Sequence, residues 1–343
     1  MVTIDGSLGE GGGQVLRTSL SLSMVTGEAL LITNIRARRP KPGLMRQHLT
    51  AVRAAAEICG ARVDGDFAGS TELEFKPGRI RHGDYVFSIG TAGSTTLVLQ
   101  TVLPALLMVE GESHLTLEGG THNTLAPPFD YLDRSFLPLL RRMGADVSAR
   151  LLAYGFYPAG GGSLGITVCG SSLSRIALTE RHGETTLSSL CLYSDLSGGV
   201  AERESSYLQR RLPLVQAAIR RVDSAGPGNV VMVAVCSGVG EDRIEEVFTA
   251  FGEKGIAAEK VAERAAAEAE VYYQTDAVLG KYNADQIILY MALAGGGEFT
   301  TTPLTLHSET NMRVIREFLP LEFRCRVIGR VCHVECVEKR KQT

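Results

Sequence analysis

The chain has 343 residues, of which 38 are acidic and 35 are basic, so its formal charge is -3. With 44% hydrophobic residues it has the composition of a globular protein, and its length predicts about two domains. No stretch approaches the ~20 apolar residues of a membrane span, and the first residues lack a basic and apolar leader, so we expect neither membrane insertion nor secretion. The near-neutral charge excludes binding to nucleic acid by bulk charge alone, but it permits a local basic pocket.

The cysteines follow no pairing pattern and occur at Cys59, Cys169, Cys191, Cys236, Cys325, Cys332 and Cys336. Their odd number and apolar neighbours favour buried free thiols in a reducing compartment, so we expect a cytoplasmic protein. Only Cys332, His333 and Cys336 lie close enough to suggest a metal site. A zinc site normally has closer paired ligands, and the alternation of this segment predicts a final strand over residues 331–337 instead.

Three parts of the chain repeat one pattern of two helices followed by short strands. The first helix of each unit is apolar and carries Gln14, Gln100 or Gln286 near its start. The second helix is amphipathic, with apolar side chains at helical spacing. These positions are Met45, Leu49, Val52, Ala56 and Cys59 in the first unit, Phe129, Leu132, Phe136, Leu139 and Met143 in the second, and Met312, Ile315 and Leu319 in the third. The pattern predicts an α/β (α+β) fold of repeated helix–sheet units.

An insertion interrupts the third unit. Gln14 and Gln100 are 86 residues apart, whereas Gln100 and Gln286 are 186 apart, which is more than the repeat requires. We assign the extra segment to residues 181–276, so that residues 1–180 and 277–343 form the body. Its pattern predicts a small α/β domain with strands over 186–193, 229–236 and 244–251 and helices over 200–217 and 257–273.

A run of glycines, Gly9 to Gly13 with Glu10 inside it, precedes the first helix. It has neither the sequence of a Walker A loop nor that of a dinucleotide-binding turn. Backbone N–H groups at a helix start bind anions, but Glu10 would repel a phosphate unless a divalent cation lay between them. The residues alone leave a structural turn with a solvated Glu10 equally open.

The densest basic stretch of the chain follows, at Arg36, Arg38, Arg39, Lys41, Arg46 and Arg53, with Arg17 upstream. Arginine supplies the planar forked donors that a phosphate site needs. A stiff connector over residues 40–43, with prolines at two positions, places these arginines just before the first amphipathic helix. This favours a phosphate site over a solvated basic loop, which is the ordinary explanation of a charge run.

His307 lies in a polar segment before the third amphipathic helix, for which we predict Thr310 or Asn311 as the N-cap. Imidazole is a good nucleophile toward phosphorus at neutral pH, and a good leaving group once protonated. A lone histidine is more often structural than catalytic, so this residue by itself leaves both roles open. The glycine-rich run from Tyr154 to Gly162 is, alone, a long turn with an aromatic rim.

Together these motifs resemble the RNA 3′-terminal phosphate cyclase family. The resemblance covers nearly the whole chain and depends on several motifs in one order, namely residues 9–17, residues 39–48, the run Tyr154 to Gly162, residues 284–286 and His307. It implies three repeated units of two helices and a four-stranded sheet, with a smaller thioredoxin-like α/β domain inserted in the third.

The resemblance also implies a function. The family's enzymes are ligases that convert an RNA 3′-phosphate into a 2′,3′-cyclic phosphodiester with ATP and a divalent metal, Mg or Mn. His307 matches the histidine that attacks the α-phosphorus of ATP and carries AMP. AMP then passes to the RNA 3′-phosphate, and the adjacent 2′-OH displaces it. The expected partners are therefore ATP and an RNA with a 3′-phosphate end.

The remaining site residues follow from the same resemblance. We expect Glu10 to hold the metal. The nucleotide is expected to contact Gln100, Pro127, Tyr282, Asn283, Ala284, Asp285 and Gln286. The RNA end phosphate is expected to contact Arg17, Arg38, Arg39 and Gln47, although Arg36 lies close enough to compete for that role.

Two other functions stay open at the level of sequence. One is a cyclase-like, non-catalytic ribosome-assembly factor, which lacks the nucleophile, so the presence of His307 counts against it. The other is an enolpyruvyl transferase-like enzyme built from similar repeated units. It needs no covalent histidine, and the order of the motifs counts against it.

Overall fold

The computed structural model describes residues 1–339. The described chain mixes helices with four sheets of four strands each. The first unit consists of β1 (Val2–Asp5), α1 (Gly13–Thr26), β2 (Leu30–Thr33), α2 (Arg46–Cys59), β3 (Arg62–Asp64) and β4 (Leu73–Lys76). Its strands lie in the order β1-β2-β4-β3, with β1 and β2 parallel and the other neighbours antiparallel.

The second unit repeats this arrangement with β5 (Asp84–Ser88), α3 (Thr95–Leu107), β6 (Glu112–Gly119), α4 (Phe129–Tyr131), α5 (Leu137–Arg142), β7 (Asp146–Ala153) and β8 (Gly162–Cys169). Its strand order is β5-β6-β8-β7, again with only the first pair parallel. The predicted second helix is interrupted by a π-helical turn, Leu132–Phe136, between α4 and α5. Pro138 explains the wider turn, because proline lacks an N–H and its ring clashes with the carbonyl four residues earlier.

The third unit begins with β9 (Ala177–Leu178) and resumes after the insertion. The inserted segment contains β10 (Thr185–Ser194), α6 (Gly198–Arg211), β11 (Gln216–Arg221), β12 (Gly228–Ser237), β13 (Ile244–Phe251) and α7 (Ala258–Tyr273). The unit then continues with α8 (Lys281–Leu293), β14 (Gly297–Thr301), α9 (Leu306–Phe318), β15 (Leu321–Ile328) and β16 (Val331–Glu338). Its sheet has the order β9-β14-β16-β15, with only β9 and β14 parallel. The predicted α/β fold of repeated units is therefore confirmed.

The inserted segment forms the fourth sheet, in the order β11-β10-β12-β13, against which α6 and α7 pack. Some of its buried side chains, among them Leu208, Val233 and Ala265, form a cluster of their own, whereas others, such as Met232 and Val247, belong to the core of the three units. The helix predicted over residues 200–217 is wrong at its end, because α6 stops at Arg211 and strand β11 follows. Pro213 accounts for the difference, since a helix ends at or before the residue preceding a proline.

The final strand is β16, as its alternation predicts. Cys332 and Cys336 are buried on it, and His333 Nε2 lies 2.8 Å from Glu298 Oε2 on β14. Across residues 1–339, no three metal-ligating side chains of the His, Cys, Asp or Glu type gather into one group. Over the same residues, no helix combines the length and the apolar character that crossing a membrane requires.

That residues 181–276 form an independent, thioredoxin-like domain stays a prediction, and the path of the chain makes it testable. Arg181 Nε donates to the carbonyl of Ala277 at 3.1 Å, so the insertion begins and ends within one side-chain length. We expect a chain with a short glycine linker in place of residues 181–276 to stay folded but to have a lower Tm, because most of the core of the three units lies outside the segment, while the apolar side chains that the segment adds to that core are lost. Circular dichroism during thermal unfolding checks this, and a lost cooperative transition would contradict it.

Candidate active site

The central helices bring the first and third units together. α1 packs against α3 and α9, and α8 packs against α9. Within this packing the buried Thr18 hydroxyl donates to Asn311 Oδ1 at 2.7 Å, which holds α1 against α9. The glycine-rich loop at the start of α1 therefore lies beside the start of α9, where His307 is located.

His307 lies in the first turn of α9 and not in a loop before it. Thr305 is the N-cap, and its Oγ1 accepts a hydrogen bond from the Ser308 N–H at 3.1 Å. The prediction of Thr310 or Asn311 as the N-cap is therefore wrong. The apolar stripe of α9 begins only at its second turn, so the polar first turn has the appearance of a loop in the sequence.

Both ring nitrogens of His307 have partners. Nδ1 lies 2.6 Å from Gln14 Oε1, and Nε2 lies 2.9 Å from Glu10 Oε2. Because an amide oxygen only accepts, Nδ1 carries a proton, and Nε2 is the nitrogen that has the lone pair in the neutral ring. Arg39 Nη2 lies 3.2 Å from the same Glu10 oxygen, so one carboxylate connects the histidine to the basic stretch. The histidine side chain is 43% exposed and remains accessible.

The glycines of the loop permit this close approach. Gly9 has a φ of +57°, and a Cβ at that position would overlap Thr310 Oγ1. A Cβ at Gly12 would lie 2.7 Å from Arg39 Nη2. Glycine meets both requirements, because it adopts left-handed backbone angles without strain and has no side chain to displace its neighbours.

Asp285 on α8 holds the start of α9. Its Oδ1 accepts hydrogen bonds from Thr305 Oγ1, at 2.8 Å, and from Ser308 Oγ, and its carbonyl accepts one from Asn311 Nδ2 at 2.9 Å. Thr305 and Ser308 flank His307, so this carboxylate positions the histidine. Burial raises the pKa of Asp285, while the hydrogen bonds from Ser308 and Thr305 oppose that rise. The sequence motifs contained no signal for this positioning role.

The basic stretch divides into arginines that face the glycine-rich loop and one that does not. Arg38 Nη1 donates to the carbonyl of Gly9 at 2.6 Å, and Arg39 pairs with Glu10. Arg36 donates instead to two carbonyl groups of its own connector, at 2.7 and 2.8 Å. Arg38 and Arg39 therefore lie at the candidate site, whereas Arg36 stabilises the connector.

Arg17 lies beside the start of α1, where its Nη1 would be 3.0 Å from a Cβ at Gly13. Burial lowers the pKa of Arg17 to about 10, so the side chain is still charged at neutral pH. No side chain of residues 1–339 forms an ion pair with its guanidinium. A half-buried, unpaired cation next to the N-terminus of a helix is a favourable environment for an anion.

His48 is a site residue to which the sequence assigned no role. Burial, together with the charges of Arg36 and Arg17, lowers the pKa of His48 to about 3, so its ring is neutral. Nδ1 accepts from the Met45 N–H at 3.2 Å, so Nε2 carries the proton and is a donor near Gly13. Its position next to Gln47, in a motif already assigned to phosphate, was the available signal.

Four residues predicted for the site, Gln47, Gln100, Pro127 and Gln286, make hydrogen bonds that link the units around it. Gln47 Oε1 accepts from the N–H of Ser94, the N-cap of α3, at 2.7 Å. Gln100 Nε2 donates to Gln286 Oε1 at 2.6 Å, which joins α3 to α8. The carbonyl of Pro127 accepts from a threonine hydroxyl of α3 at 2.7 Å. The predicted walls of the nucleotide site are thus connected through α3.

The first turn of α8 exposes only part of the predicted nucleotide site. Tyr282 is 37% exposed, and its hydroxyl donates to Glu268 Oε2 on α7 at 2.9 Å. Asn283 and Ala284 are fully buried. Their side chains face the interior, so any contact that these two residues make with a nucleotide must use the backbone.

Glu10 fits a Mg²⁺ site in which a carboxylate binds the ion together with phosphate oxygens and water. Mg²⁺ in nucleotide enzymes is usually held by one or two carboxylates, with phosphate oxygens and water completing its octahedron. The Glu10 side chain is 28% exposed and lies on the glycine-rich loop, so it can provide one such ligand. A site of this kind needs no cage of three protein ligands.

The glycine-rich run from Tyr154 to Gly162 follows β7 in the second unit and contacts the inserted segment. Phe156 is buried, and a Cβ at Gly228 on β12 would overlap its ring. A Cβ at Gly160 would lie 3.1 Å from the Cα of Ala92, in the loop before α3. The run therefore supports the loop that presents the start of α3.

Comparisons with known proteins agree with this arrangement. The family model described as RNA 3′-terminal phosphate cyclase matches residues 8–325. A curated protein of that name from Ralstonia nicotianae is 50% identical over 323 residues, covering 93% of this chain and 92% of the relative. Relatives of the same name from Koribacter versatilis and Pseudomonas fluorescens are each 48% identical, covering 94% and 98% of this chain and 91% and 98% of themselves.

The fold and the site define a protein of repeated helix–sheet units with a histidine held against a glycine-rich loop that two arginines contact. The match extends over nearly all of the described chain, at an identity far above the level at which families diverge in fold. The chain belongs to the RNA 3′-terminal phosphate cyclase family. The resemblance inferred from the motifs is confirmed.

Gly9→Ala tests the approach of the glycine-rich loop to α9. The substitution combines left-handed strain, roughly 1–2 kcal/mol, with overlap on Thr310, so we expect a larger fall in Tm than for Gly27→Ala. Gly27 is the matched control, because its φ is +73° and nothing lies within 4 Å of its Cβ position. In a Thr310→Ala background the difference in Tm between the two glycine variants should become smaller. An unchanged difference in thermal unfolding would contradict this geometry.

Proposed function

We propose that this chain is an enzyme that uses ATP to convert an RNA 3′-phosphate end into a 2′,3′-cyclic phosphodiester. Membership of the family, and the name shared by its relatives, support the reaction. The observation that carries the residue assignments is the ring of His307, which lies between Gln14 and Glu10 next to a cluster of arginines.

His307 is assigned as the nucleophile. With Nδ1–H directed to Gln14, the lone pair of Nε2 attacks the α-phosphorus of ATP, diphosphate leaves, and a phosphoramidate bond joins Nε2 to AMP. Glu10 lies 2.9 Å from Nε2, so it is placed to take a proton from that nitrogen whenever both ring nitrogens carry one. The same closeness means that Glu10 has to move aside before a phosphorus atom reaches Nε2.

Glu10 is also assigned to the divalent metal, Mg²⁺ or Mn²⁺. When bound, the cation reduces the repulsion between the negatively charged triphosphate and groups that approach it. In the observed arrangement Glu10 is shared by His307 and Arg39. A movement of this carboxylate therefore frees the nucleophilic nitrogen and the Arg39 guanidinium together.

The nucleotide is assigned to the wall formed by α8 and α3. The half-buried ring of Tyr282 offers a face on which adenine can stack, and Asp285 offers its second carboxylate oxygen to a ribose hydroxyl. Gln286, Gln100 and Pro127 complete this wall.

The RNA end phosphate is assigned to Arg17, Arg38, Arg39 and Gln47, as the family motifs imply. The unpaired charge of Arg17 supports the assignment, because a phosphate there gains a charge-assisted bond without displacing an existing partner. The Nε2–H of His48 is an additional neutral donor to the same anion. We therefore add His48 to the RNA end pocket.

The later steps use the chemistry of the RNA end. An oxygen of the 3′-phosphate attacks the AMP phosphorus, the N–P bond breaks, and an RNA–adenylate anhydride forms. The 2′-OH then loses its proton and attacks the 3′-phosphorus, and AMP leaves as the ring closes. A phosphate monoester dianion is a poor electrophile until AMP occupies one of its oxygens, and the adjacent hydroxyl gains from proximity.

The two alternative functions explain less. A non-catalytic assembly factor has no use for a histidine whose two nitrogens are held by residues of another unit. An enolpyruvyl transferase-like enzyme has no use for a covalent nucleophile.

The proposed compartment is the cytoplasm. All seven cysteines are free, as is typical of proteins in a reducing compartment.

His307→Asn tests the nucleophile. Asparagine keeps the polarity of the side chain and removes the ring nitrogen that accepts AMP, so we expect an intact fold and no covalent AMP. The measurement is incubation with α-labelled ATP, followed by denaturation and counting of label on the protein, with circular dichroism as the check on folding. Acid-labile, alkali-stable label on the variant would show that another residue is the nucleophile.

Arg17 and Asp285 separate the two halves of the reaction. Arg17→Ala removes a charged contact to the RNA phosphate, typically ~1.5–3 kcal/mol, so we expect AMP transfer to RNA to slow by about 10–150-fold. Asp285→Asn weakens the hold on the first turn of α9, so we expect slower formation of enzyme–AMP without RNA. The measurements are adenylation of the free enzyme and single-turnover transfer of preformed enzyme–AMP to a 3′-phosphorylated oligonucleotide.

Arg53→Ala is the matched control for Arg17→Ala. Arg53 belongs to the same basic stretch, but it is exposed and pairs with Asp66, so both stages should keep wild-type rates. If Arg17→Ala slowed the first stage as much as the second, Arg17 would belong to the ATP triphosphate and not to the RNA end.

A further inference from the structure

The inserted segment contacts the start of α8 through one buried carboxylate. Glu246 lies on β13 and is fully buried. Its Oε1 accepts hydrogen bonds from the Gly280 N–H at 2.7 Å and from Asn283 Nδ2 at 2.8 Å. Gly280 is the N-cap of α8, and Asn283 lies in its first turn. A side chain from one sheet thus holds the first turn of a helix that belongs to another unit.

The second unit holds the same asparagine from the other side. The Tyr131 hydroxyl donates to Asn283 Oδ1 at 2.7 Å, and Asn283 Nδ2 also donates to Ser135 Oγ at 2.7 Å. Every donor and acceptor position that these bonds use is buried. The start of α8 is therefore positioned jointly by the second unit and the inserted segment.

A second carboxylate of the inserted segment contacts the exposed side of the same turn. Glu268 on α7 accepts from the Tyr282 hydroxyl at 2.9 Å, and its other oxygen lies 3.0 Å from Lys281 Nζ. The Lys281 ammonium also lies 4.7 Å from the centre of the Tyr282 ring. The ring proposed to stack on adenine is therefore oriented by the insertion.

Glu246 is costly to the fold. Its Oε2 has no hydrogen-bond partner among the described residues, and a Cβ at Gly280 would lie 2.7 Å from that oxygen. Burial raises the pKa of Glu246 to about 7. A buried carboxyl group with an unsatisfied oxygen destabilises a protein relative to an apolar side chain. The presence of Glu246 at this position therefore indicates that it has a role at the start of α8, which it holds.

We propose that Glu246 is a positioning residue for the nucleotide site, through which the inserted segment sets the affinity of the enzyme for ATP. The inference rests on the proposed function. Glu246 holds Gly280 and Asn283, and the turn that they begin carries Tyr282 and Asp285. Asp285 in turn holds the first turn of α9. The insertion, which contributes none of the reacting groups, thereby controls the position of residues on both sides of the nucleotide.

The experiment follows a single turnover, the formation of enzyme–AMP without RNA, using the full chain, and measures its maximal rate and its KM for ATP, the ATP concentration that gives half that rate. For Glu246→Ala we expect the KM to rise about tenfold or more, because each of its two hydrogen bonds is typically worth roughly a two- to twelvefold change. AMP transfer from preformed enzyme–AMP should change less, since the nucleotide is then covalently bound. Glu246→Gln keeps an oxygen acceptor for both donors and should restore the KM to within a few-fold of wild type.

Glu204→Ala is the matched control. Glu204 is also fully buried in the inserted segment, burial raises its pKa to about 7, and it bonds to Asn229 at 3.0 Å without contacting α8. Its loss should lower the Tm while leaving the KM for ATP unchanged. Glu246→Asp, which keeps the charge but withdraws the oxygen from its donors, provides a second test if Glu246→Ala does not fold.

The outcomes separate this inference from the proposed function. A wild-type chain that forms no enzyme–AMP would overturn the proposed function itself. If the wild type is adenylated but Glu246→Ala and Glu246→Asp keep its KM, or if Glu204→Ala raises the KM equally, the positioning role is wrong. A Glu246→Gln protein as impaired as Glu246→Ala would likewise contradict it, because hydrogen-bond acceptance would not be the property that matters.

Discussion

The hydrogen bond between Gln14 and His307 is the interaction on which the site depends. It joins two residues that are 293 positions apart in the sequence, and each of them lies where its helix begins. The bond forms only because α1 packs against α9, with the buried contact of Thr18 and Asn311 holding the pair. It determines which imidazole nitrogen carries a proton, and therefore which one is left for chemistry.

Two buried carboxylates connect the inserted segment to the helix that carries this histidine. Glu246 holds the start of α8, and Asp285, one and a half turns further along, holds the start of α9. Buried carboxylates are expensive unless they accept several hydrogen bonds, and each of these accepts at least two. The hydrogen bonds that these carboxylates accept fix two helix ends more specifically than the packing of apolar side chains does.

The repeated units were predictable because their signal is local. Apolar residues at helical spacing and glycines at the ends of helices recur in all three units, and the spacing of Gln14, Gln100 and Gln286 predicts an insertion. Two errors arose where a local signal competed with another. Pro213 ends α6 at Arg211, although the helical pattern of the sequence continues to residue 217. The polar first turn of α9 resembles a loop, which obscured the N-cap at Thr305.

The sequence by itself determined the class of fold and the family, and it predicted the residues of the candidate site, because periodicity, glycine placement and ordered motifs are properties of neighbouring residues. The tertiary structure alone decided which side chains meet. It turned Arg36 toward its own connector, left Arg17 without a partner, made His48 a neutral donor, and placed Glu246 at the start of α8. These outcomes depend on burial and on contacts between distant segments, which the pattern of a linear chain does not contain.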